Sequence, residues 1–238
     1  MLRVSIVVPT FNSAQTIAEC LQAIGSQSLP RDQYEVILVD NGSRDATTTI
    51  ADQFDAKQLL QNTRGAAQAR NVGWAAARGE WIAFTDSDCI PSRMWLQSLL
   101  DRAATDRMAA HPIGVAGRTL GYRSTSAAAR YVDLTGGLDA ETYLAHPAFP
   151  WAPTNNVMYL RSALETVEGF DARYVTYEGG DLSYRLQTVF NHALVFEPRA
   201  VVLHQHRSTW RAYWRQQYGY GRGYGQFIWK HRDHFRWT

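Results

Sequence analysis

Residues 80–88, Glu80-Trp81-Ile82-Ala83-Phe84-Thr85-Asp86-Ser87-Asp88, are the most informative part of the sequence. The first six of them are largely apolar, and the break at Arg78-Gly79 before them limits them to a short buried strand. Asp86 and Asp88 therefore stand at the carboxyl end of a strand, which is where open α/β sheets bind their ligands. Hard oxygen ligands at this spacing suit Mg²⁺ or Mn²⁺ carrying a phosphate ester. An isolated Asp-x-Asp is more often a solvated acidic turn, so this interpretation depends on the rest of the chain.

The chain before this stretch alternates strand and helix signals. Continuous apolar runs or short extended patterns predict strands at residues 4–8, 34–39 and 58–60. Helices are predicted from Ser13, as the N-cap, to about Ser26, and over residues 45–54 and 65–77. This β-α-β-α order predicts an α/β fold with a mostly parallel central sheet and helices on its faces.

The second half of the chain is less regular. Extended segments are predicted at 113–120, 155–160 (strand or turn), 193–196 and 201–204, and helices from 162, over 181–190 and over 208–218. Residues 121–150 are rich in Gly, Ser, Thr and Tyr and predict an irregular segment. Each of the glycines at 219, 221, 223 and 225 disfavours a helix by roughly 1 kcal/mol relative to alanine, which predicts an open loop there.

Composition limits the class of protein. At 238 residues the chain suffices for one substantial α/β domain, and it has no run near the ~20 apolar residues that cross a bilayer. The amino terminus has too short an apolar stretch for a signal peptide. Cys20 and Cys89 form no Cys-x-x-Cys or Cys/His cluster, which fits a reduced protein. We therefore expect a cytoplasmic location.

Charge is nearly balanced overall but unevenly distributed. Residues 204–238 contain seven basic residues and one acidic residue, Asp233, together with ten Trp, Tyr and Phe residues. A basic and aromatic segment can bind nucleic acid, rest on a membrane or cover an anionic ligand. Composition alone does not choose among these three partners.

Several short motifs occur in a definite order along the chain. They are Val4-Ser5-Ile6-Val7-Val8-Pro9-Thr10-Phe11-Asn12, Val39-Asp40-Asn41-Gly42-Ser43-Arg44-Asp45, Ala69-Arg70-Asn71-Val72-Gly73, Phe84-Thr85-Asp86-Ser87-Asp88, Gly169-Phe170-Asp171 and Glu178-Gly179-Gly180-Asp181-Leu182-Ser183-Tyr184-Arg185-Leu186. Any one of these motifs is weak evidence. Together, over about residues 3–225, they resemble the family 2 glycosyltransferases with the GT-A fold.

The resemblance implies a single GT-A domain with two halves. Residues 1–112 would form a Rossmann-like half that binds a nucleotide sugar, and 113–206 an acceptor and catalytic half. Residues 207–238 would form a basic, aromatic lid or a membrane-facing segment, so the protein could lie peripherally at the inner face of the membrane. The implied activity is an inverting, metal-dependent transfer from a nucleoside-diphosphate sugar, expected to be a UDP-sugar, to an acceptor hydroxyl in cell-surface glycan or glycolipid synthesis.

The resemblance also implies a donor site. Its members would be Pro9, Thr10, Asn12, Asp40, Gly65, Arg70, Asn71, Asp86, Ser87 and Asp88. Asp40 would accept a hydrogen bond from the base, while Arg70 and Asn71 would help to close the nucleotide pocket. We expect Arg222 at the same site on chemical grounds, because a guanidinium pairs with phosphate and the neighbouring glycines let backbone amides approach it.

A cation and an acceptor complete the implied site. Asp88 and Asp86 would bind Mn²⁺ or Mg²⁺, and His204, which follows a predicted strand, resembles a third ligand that favours Mn²⁺. The cation would offset charge on the departing nucleoside diphosphate. The acceptor, a glycan, glycolipid or small molecule, would contact residues 121–150 together with Trp151, Asn155 and Asn156.

The general base is where the sequence departs from the family pattern. The family usually has Glu-Asp-x-Asp-Leu, with the Asp after Glu as the base, and here that position is Gly179. Glu178 and Asp181 remain, three positions apart at a predicted helix N-terminus, where carboxylates are favoured. We expect Glu178 to be the base and Asp181 a helix cap or an acceptor contact, while the assignment between the two stays open.

Other classes of protein fit less well. A nucleotidyltransferase or a Rossmann oxidoreductase would carry a Gly-rich phosphate loop after the first strand, and Pro9-Thr10-Phe11-Asn12 is not one. Nucleic-acid binding through the carboxyl-terminal segment is not favoured. A catalytically silent binding or partner subunit with the same fold remains open because of Gly179.

Overall fold

The computed structural model describes residues 1–105, 112–147, 149–191 and 194–234. The strands are β1 (Val4–Thr10), β2 (Tyr34–Asp40), β3 (Lys57–Leu60), β4 (Trp81–Thr85), β5 (Cys89–Pro91), β6 (Gly114–Gly121), β7 (Asn156–Leu160) and β8 (Val195–His204). The helices are α1 (Ile17–Gly25), α2 (Thr47–Ala51), α3 (Ala66–Ala75), α4 (Trp95–Thr105), α5 (Ala127–Leu134), α6 (Ala140–Leu144), α7 (Arg161–Thr166), α8 (Glu178–Phe190) and α9 (Trp210–Lys230). A 3₁₀ turn at Arg31–Gln33 precedes β2.

The eight strands form one sheet in the order β3-β2-β1-β4-β7-β6-β8-β5. Strands β1 to β4 are parallel, as the alternating sequence pattern predicts. Beyond β4 the sheet is mixed, because β7 runs antiparallel to both β4 and β6, and β5 antiparallel to β8. The predicted α/β class with helices flanking a central sheet is confirmed, and the parallel pairing is confined to β1–β4 and the β6–β8 pair.

Helices cover both faces of the sheet, which explains why the central strands are continuously apolar. On one face, Ile6 and Val8 of β1 pack in a cluster with α1 and α4, where Trp95 is fully buried. On the other face, Val7 packs with residues of α3 and α8, including Leu182. Adjacent residues in the first part of β1 therefore belong to different layers of the core.

The carboxyl ends of the parallel strands meet at one edge. Thr10, at the end of β1, pairs with Asp40, at the end of β2, and β4 ends beside them at Thr85, directly before Asp86. The motifs after these strands are therefore brought together although 75 residues separate Thr10 from Thr85.

The predicted open loop at residues 219–225 is wrong, because α9 runs through all four glycines without interruption. Packing explains the difference. A side chain at Gly223 would collide with the Thr176 carbonyl, so only glycine lets α9 approach this closely. The Thr176 hydroxyl also donates to the Gly219 carbonyl at 2.6 Å, and Phe227 is fully buried in an aromatic cluster with Tyr174. These contacts outweigh the low helix propensity.

Other local predictions also need correction. Residues 121–150, predicted to be irregular, contain α5 and α6, whose N-caps Ser126 and Asp139 accept bonds from backbone N–H groups. The N-cap of α1 is Thr16, because Ser13 instead belongs to a turn tied to Thr47. The helix predicted over 45–54 is shorter, and β5 was not predicted. Of the predicted segment 193–196, residue 193 lies outside the described residues, as do the last four residues of the basic segment.

In the described part of the chain, no helix combines the length and the apolar character needed to span a membrane.

Candidate active site

Two cavities open at the edge where β1, β2 and β4 end. The first has a volume of about 600 Å³ and a mostly polar wall, and the second has a volume of about 530 Å³ and a mostly apolar wall with an aromatic part. Arg70 and Asp86 line both, so the two cavities meet at this pair. Several of the predicted donor residues line the first cavity: Pro9, Thr10, Asn12, Arg70, Asp86, Ser87 and Asp88.

Arg70, on α3, links the two cavities electrostatically. It is 3% exposed and makes one 2.6 Å ion pair to Asp86 and another to Glu178, at the start of α8. Burial alone would lower the pKa of Arg70, but the two carboxylates outweigh burial and raise it. Two negative charges against one positive charge leave a net negative site, which suits the approach of a further cation.

Glu178 lines the second cavity and is held there through one oxygen. Its Oε1 accepts from Arg70 Nη1, and among the described residues no hydrogen bond to Oε2 is found. The residue before it, Tyr177, adopts a left-handed conformation with φ of 70°, which turns the chain into α8. A side chain in this sparsely populated region marks a backbone that the surrounding packing holds in place.

Asp181 has a different environment. It is fully buried, does not line either cavity and accepts hydrogen bonds from Arg185, Lys230 and His231. Burial would raise the pKa of Asp181, but the bonds from Lys230 and His231 and the charge of Arg185 lower it below its usual value. Asp181 therefore ties α8 to α9, and its position does not support the alternative that it is the base.

Gly179 lies against the segment that precedes β7. A Cβ at this position would lie 2.8 Å from Thr154 Cγ2 and 3.1 Å from the Ala152 carbonyl oxygen. The Cβ of the family's usual Asp would therefore require Thr154 to shift, so glycine fits the close packing of α8 here.

The candidate metal ligands lie together at the end of β4. Asp88 Oδ1 is 3.5 Å from His204 Nε2, and Cys89 completes a group whose ligand atoms lie within 4.8 Å of one another. Two atoms that each lie about 2.1 Å from one cation are about 3.0–3.4 Å apart, so the observed 3.5 Å between Asp88 and His204 is slightly longer than the separation that a shared cation requires. Burial and the nearby carboxylates raise the pKa of the Cys89 thiol, which keeps it protonated and a poor ligand for a hard cation.

The other predicted donor residues do not line the first cavity. Asp40 is 4% exposed and accepts from Ser43 N, which shapes the turn after β2. The Asn71 amide bonds both the N–H and the carbonyl of Phe170, so it fastens α3 to the loop before α8. Gly65, with φ of 146°, forms the N-cap of α3. Arg222 is exposed on α9 and lines neither cavity, so its position does not support contact with phosphate.

The predicted acceptor residues are likewise divided. Trp151 and Asn155 line the second cavity, and Asn155 Oδ1 is buried without a partner in the described structure. Asn156 does not line it, because its amide is fully occupied by Trp95, Arg118 and Ala200. Neighbouring residues at the start of a strand point to opposite sides, which separates Asn155 from Asn156.

Sequence reasoning missed most of the aromatic wall of the second cavity. Tyr143 of α6, Tyr177, and Tyr220 and Tyr224 of α9 join Trp151 there. The rings of Tyr143 and Tyr177 both contact Trp151 in tilted arrangements, with ring centroids 4.3 and 5.0 Å from that of Trp151. The spacing of four between Tyr220 and Tyr224 was a usable signal, but it was hidden by the expectation of a loop at the glycines.

Known proteins that are similar to this chain in sequence and in structure are glycosyltransferases, and their fold agrees with the GT-A class. The chain belongs to glycosyl transferase family 2, whose model matches residues 5–167. It is 30% identical over 97% of its length to a pre-mycofactocin glycosyltransferase of Mycobacterium tuberculosis, and 42% identical over 40% of its length to glycosyltransferase AglE of Haloferax volcanii.

Solved structures show the same fold at lower identity. The mannosyltransferase PcManGT of Pyrobaculum calidifontis, in complex with GDP-Man and Mn²⁺, superposes with a TM-score of 0.67 at 23% identity, covering 90% of this chain and 59% of that one. S. aureus TarS (residues 1–349) in complex with UDP-GlcNAc gives 0.62 at 19% identity, with 87% and 60% covered. This chain spans 48% of the M. tuberculosis relative and 33% of AglE.

Proposed function

We propose that the protein is an inverting, metal-dependent glycosyltransferase that moves a sugar from a nucleoside-diphosphate donor, a UDP-sugar, to an acceptor hydroxyl. The observation that carries the proposal is the position of Glu178 in the second cavity, where an ion pair joins it to Arg70, which with Asp86 lines both cavities. A donor in the first cavity and an acceptor in the second would meet at these residues, which is the geometry that a direct displacement needs.

Unpaired polar atoms support ligands in both cavities. Thr10 Oγ1 and Arg70 Nε border the first cavity, and Asn155 Oδ1 borders the second; each is buried without a hydrogen-bond partner in the described structure. Buried polar groups are normally paired, so these atoms fit partners supplied by a substrate. A nucleotide sugar and its acceptor offer the hydroxyl, amide and phosphate groups required.

Asp88 and His204 would hold the cation, Mn²⁺ or Mg²⁺, with Asp86 beside them. Bound there, the ion supplies a Lewis acid that stabilises the leaving diphosphate. PcManGT, which shares the fold, is described with Mn²⁺. The imidazole in the ligand set favours Mn²⁺ for this chain as well.

Glu178 would act as the general base. Arg70 fixes one of its oxygens, so the other is the group available to take the proton of an acceptor hydroxyl in the second cavity. General-base catalysis of this kind contributes roughly 10²–10⁴-fold to the rate. The proton passes to Glu178 as the hydroxyl oxygen attacks the anomeric carbon and the nucleoside diphosphate leaves.

The acceptor would be a glycan or glycolipid whose ring packs on the aromatic wall formed by Trp151, Tyr143 and Tyr220. Pockets of this kind bind through a predominantly apolar lining with a few placed polar groups, and here those groups are Glu178 and Asn155. TarS of S. aureus, which shares the fold, is named a poly(ribitol-phosphate) β-N-acetylglucosaminyltransferase.

The outer face of α9 would rest on an anionic membrane that carries such an acceptor. Trp214, Tyr218 and Trp229 are 65–71% exposed on this face, and the exposed Arg211 and Arg215 accompany them. The helix contains no acidic residue, and a surface with Trp, Tyr and Arg suits the interface of an anionic bilayer.

The test is a thermal-shift screen of UDP-sugars and GDP-mannose with and without Mn²⁺, followed by UDP release in the presence of glycan acceptors. A ligand at 100 times its Kd stabilises the folded state by about 2.7 kcal/mol, which such a screen detects. We expect Mn²⁺-dependent stabilisation by a UDP-sugar and release of UDP with acceptor. Stabilisation without any UDP release across the panel would favour the silent binding subunit instead.

A further inference from the structure

A chain of four side chains extends from the candidate metal site to α5. Asp88 Oδ1 lies 3.5 Å from His204 Nε2, and His204 Nδ1 lies 3.1 Å from His206 Nδ1. His206 Nε2 in turn lies 3.2 Å from Asp133 Oδ1, in the last turn of α5. His204 and His206 are 5% and 8% exposed. Neither His206 nor Asp133 belongs to the motifs that identify the family.

The hydrogen bonds along this row of side chains determine which ring nitrogen of each histidine carries the proton. An ionised carboxylate only accepts, so the bond to Asp133 places the proton of His206 on Nε2. A neutral imidazole carries one N–H, which leaves His206 Nδ1 as an acceptor. The short contact between the two Nδ1 atoms then requires the proton of His204 to be on Nδ1. His204 Nε2 is left with its lone pair directed at Asp88, which is the form that a metal ligand needs.

Two glycines lie against this row of four side chains and leave space for it. Gly121 pairs with His204 in the β6–β8 register, and a side chain at Gly121 would overlap the Asp133 carboxylate. Gly137, at φ of 46°, brings the backbone so close that a Cβ would lie 3.2 Å from His206 Cε1. Two glycines therefore leave space for Asp133 and His206 between β6, β8 and the loop after α5.

We propose that Asp133 and His206 are positioning residues that hold His204 in the tautomer that binds the cation. The inference rests on the proposed metal site and deepens it. Asp133 belongs to α5, which lies in the segment expected to shape the acceptor site. The proposal therefore makes cation binding depend on a residue of that segment.

The test is Mn²⁺ affinity, measured by electron paramagnetic resonance of the free ion, in wild type and in Asp133→Leu, His206→Leu and His206→Asn. Loss of a group that orients a metal ligand typically weakens binding 10–100-fold, so we expect a fall of at least about 10-fold for both leucine variants. The His206→Asn variant should retain most of the affinity, because its amide oxygen can accept from His204 Nδ1–H. Asp101→Leu, which removes an exposed carboxylate from α4, is the matched control.

A second measurement is independent of both metal and activity. Long-range ¹H–¹⁵N spectra of the metal-free protein should show His204 protonated on Nδ1, and Asp133→Leu should reduce that population. Wild-type affinity for Mn²⁺ in both leucine variants, or His204 protonated on Nε2 in the wild type, would overturn the proposal. If the wild type itself does not bind Mn²⁺, the metal-dependent function proposed above fails instead, so the two failures are distinguishable.

Discussion

Replacing Gly179 by alanine tests why this chain lacks the family's usual acid. The new Cβ would lie 2.8 Å from Thr154 Cγ2 and 3.1 Å from the Ala152 carbonyl oxygen, inside van der Waals contact. Overpacking of this kind costs about 1–3 kcal/mol, whereas helix propensity alone favours alanine over glycine by up to about 1 kcal/mol. With the full propensity gain subtracted, the net loss is about 0–2 kcal/mol, and each kcal/mol lost lowers Tm by about 2–4 °C.

The matched control for this prediction is Gly225→Ala in α9. A Cβ at Gly225 meets nothing within 4 Å, so this variant should gain stability by up to about 1 kcal/mol. Urea unfolding of both variants and of Gly179→Ala/Thr154→Ser measures the difference, since serine removes the methyl group that is struck. Equal stabilisation by the two alanines, or no recovery in the double variant, would refute the packing argument.

Three further predictions follow from the site and its surroundings. Asp88→Ala should abolish Mn²⁺-dependent UDP binding in calorimetry while leaving Tm within about 2 °C, because Asp88 is partly exposed; unchanged Mn²⁺ dependence would contradict the metal assignment. Asp181→Asn should lower the free energy of unfolding by about 3 kcal/mol or more at pH 7. Because the pKa of Asp181 is lowered in the folded state, the stability that its charge contributes is present above about pH 4 and is lost as the pH falls further. The stability of the variant should therefore depend less on pH in the acid range, and an equal pH dependence in variant and wild type would contradict the role of Asp181 in joining α8 to α9. Replacing Trp214 and Trp229 by Ala should weaken sedimentation with anionic liposomes, whereas Arg222→Ala should leave UDP binding unchanged, and the opposite pair of results would favour a lid.

Local patterns predicted the parts of the fold that local forces decide. The β1, β2 and β4 strands are buried on both faces, so their sequences are continuous apolar runs that any position-by-position reading detects. The motifs that follow them were correctly expected at one sheet edge, because parallel strands end on the same side.

Contacts between distant residues could not be predicted in the same way. The ion pair between Arg70 and Glu178 joins positions 108 apart, and nothing local to either residue specifies it. The helical state of α9 depends on Gly223 meeting Thr176, a tertiary contact that reverses the penalty expected from glycine.

The sequence also could not predict which of two nearby polar residues faces a cavity. Asn155 and Asn156 are equally polar and adjacent, yet one borders the second cavity while the other bonds within the core. Likewise Glu178 and Asp181 both lie in the first turn of α8, and only their partners distinguish a group facing a cavity from one that joins two helices.

We propose Glu178, and not Asp181, as the general base. The most direct measurement is kcat for UDP release, together with the Kd for UDP-sugar and Mn²⁺, in Glu178→Gln compared with wild type. We predict that kcat falls by at least roughly 10²-fold while the donor Kd changes by less than about threefold, because a base acts on the chemical step rather than on donor binding. A kcat for Glu178→Gln equal to that of the wild type would show that Glu178 is not the general base.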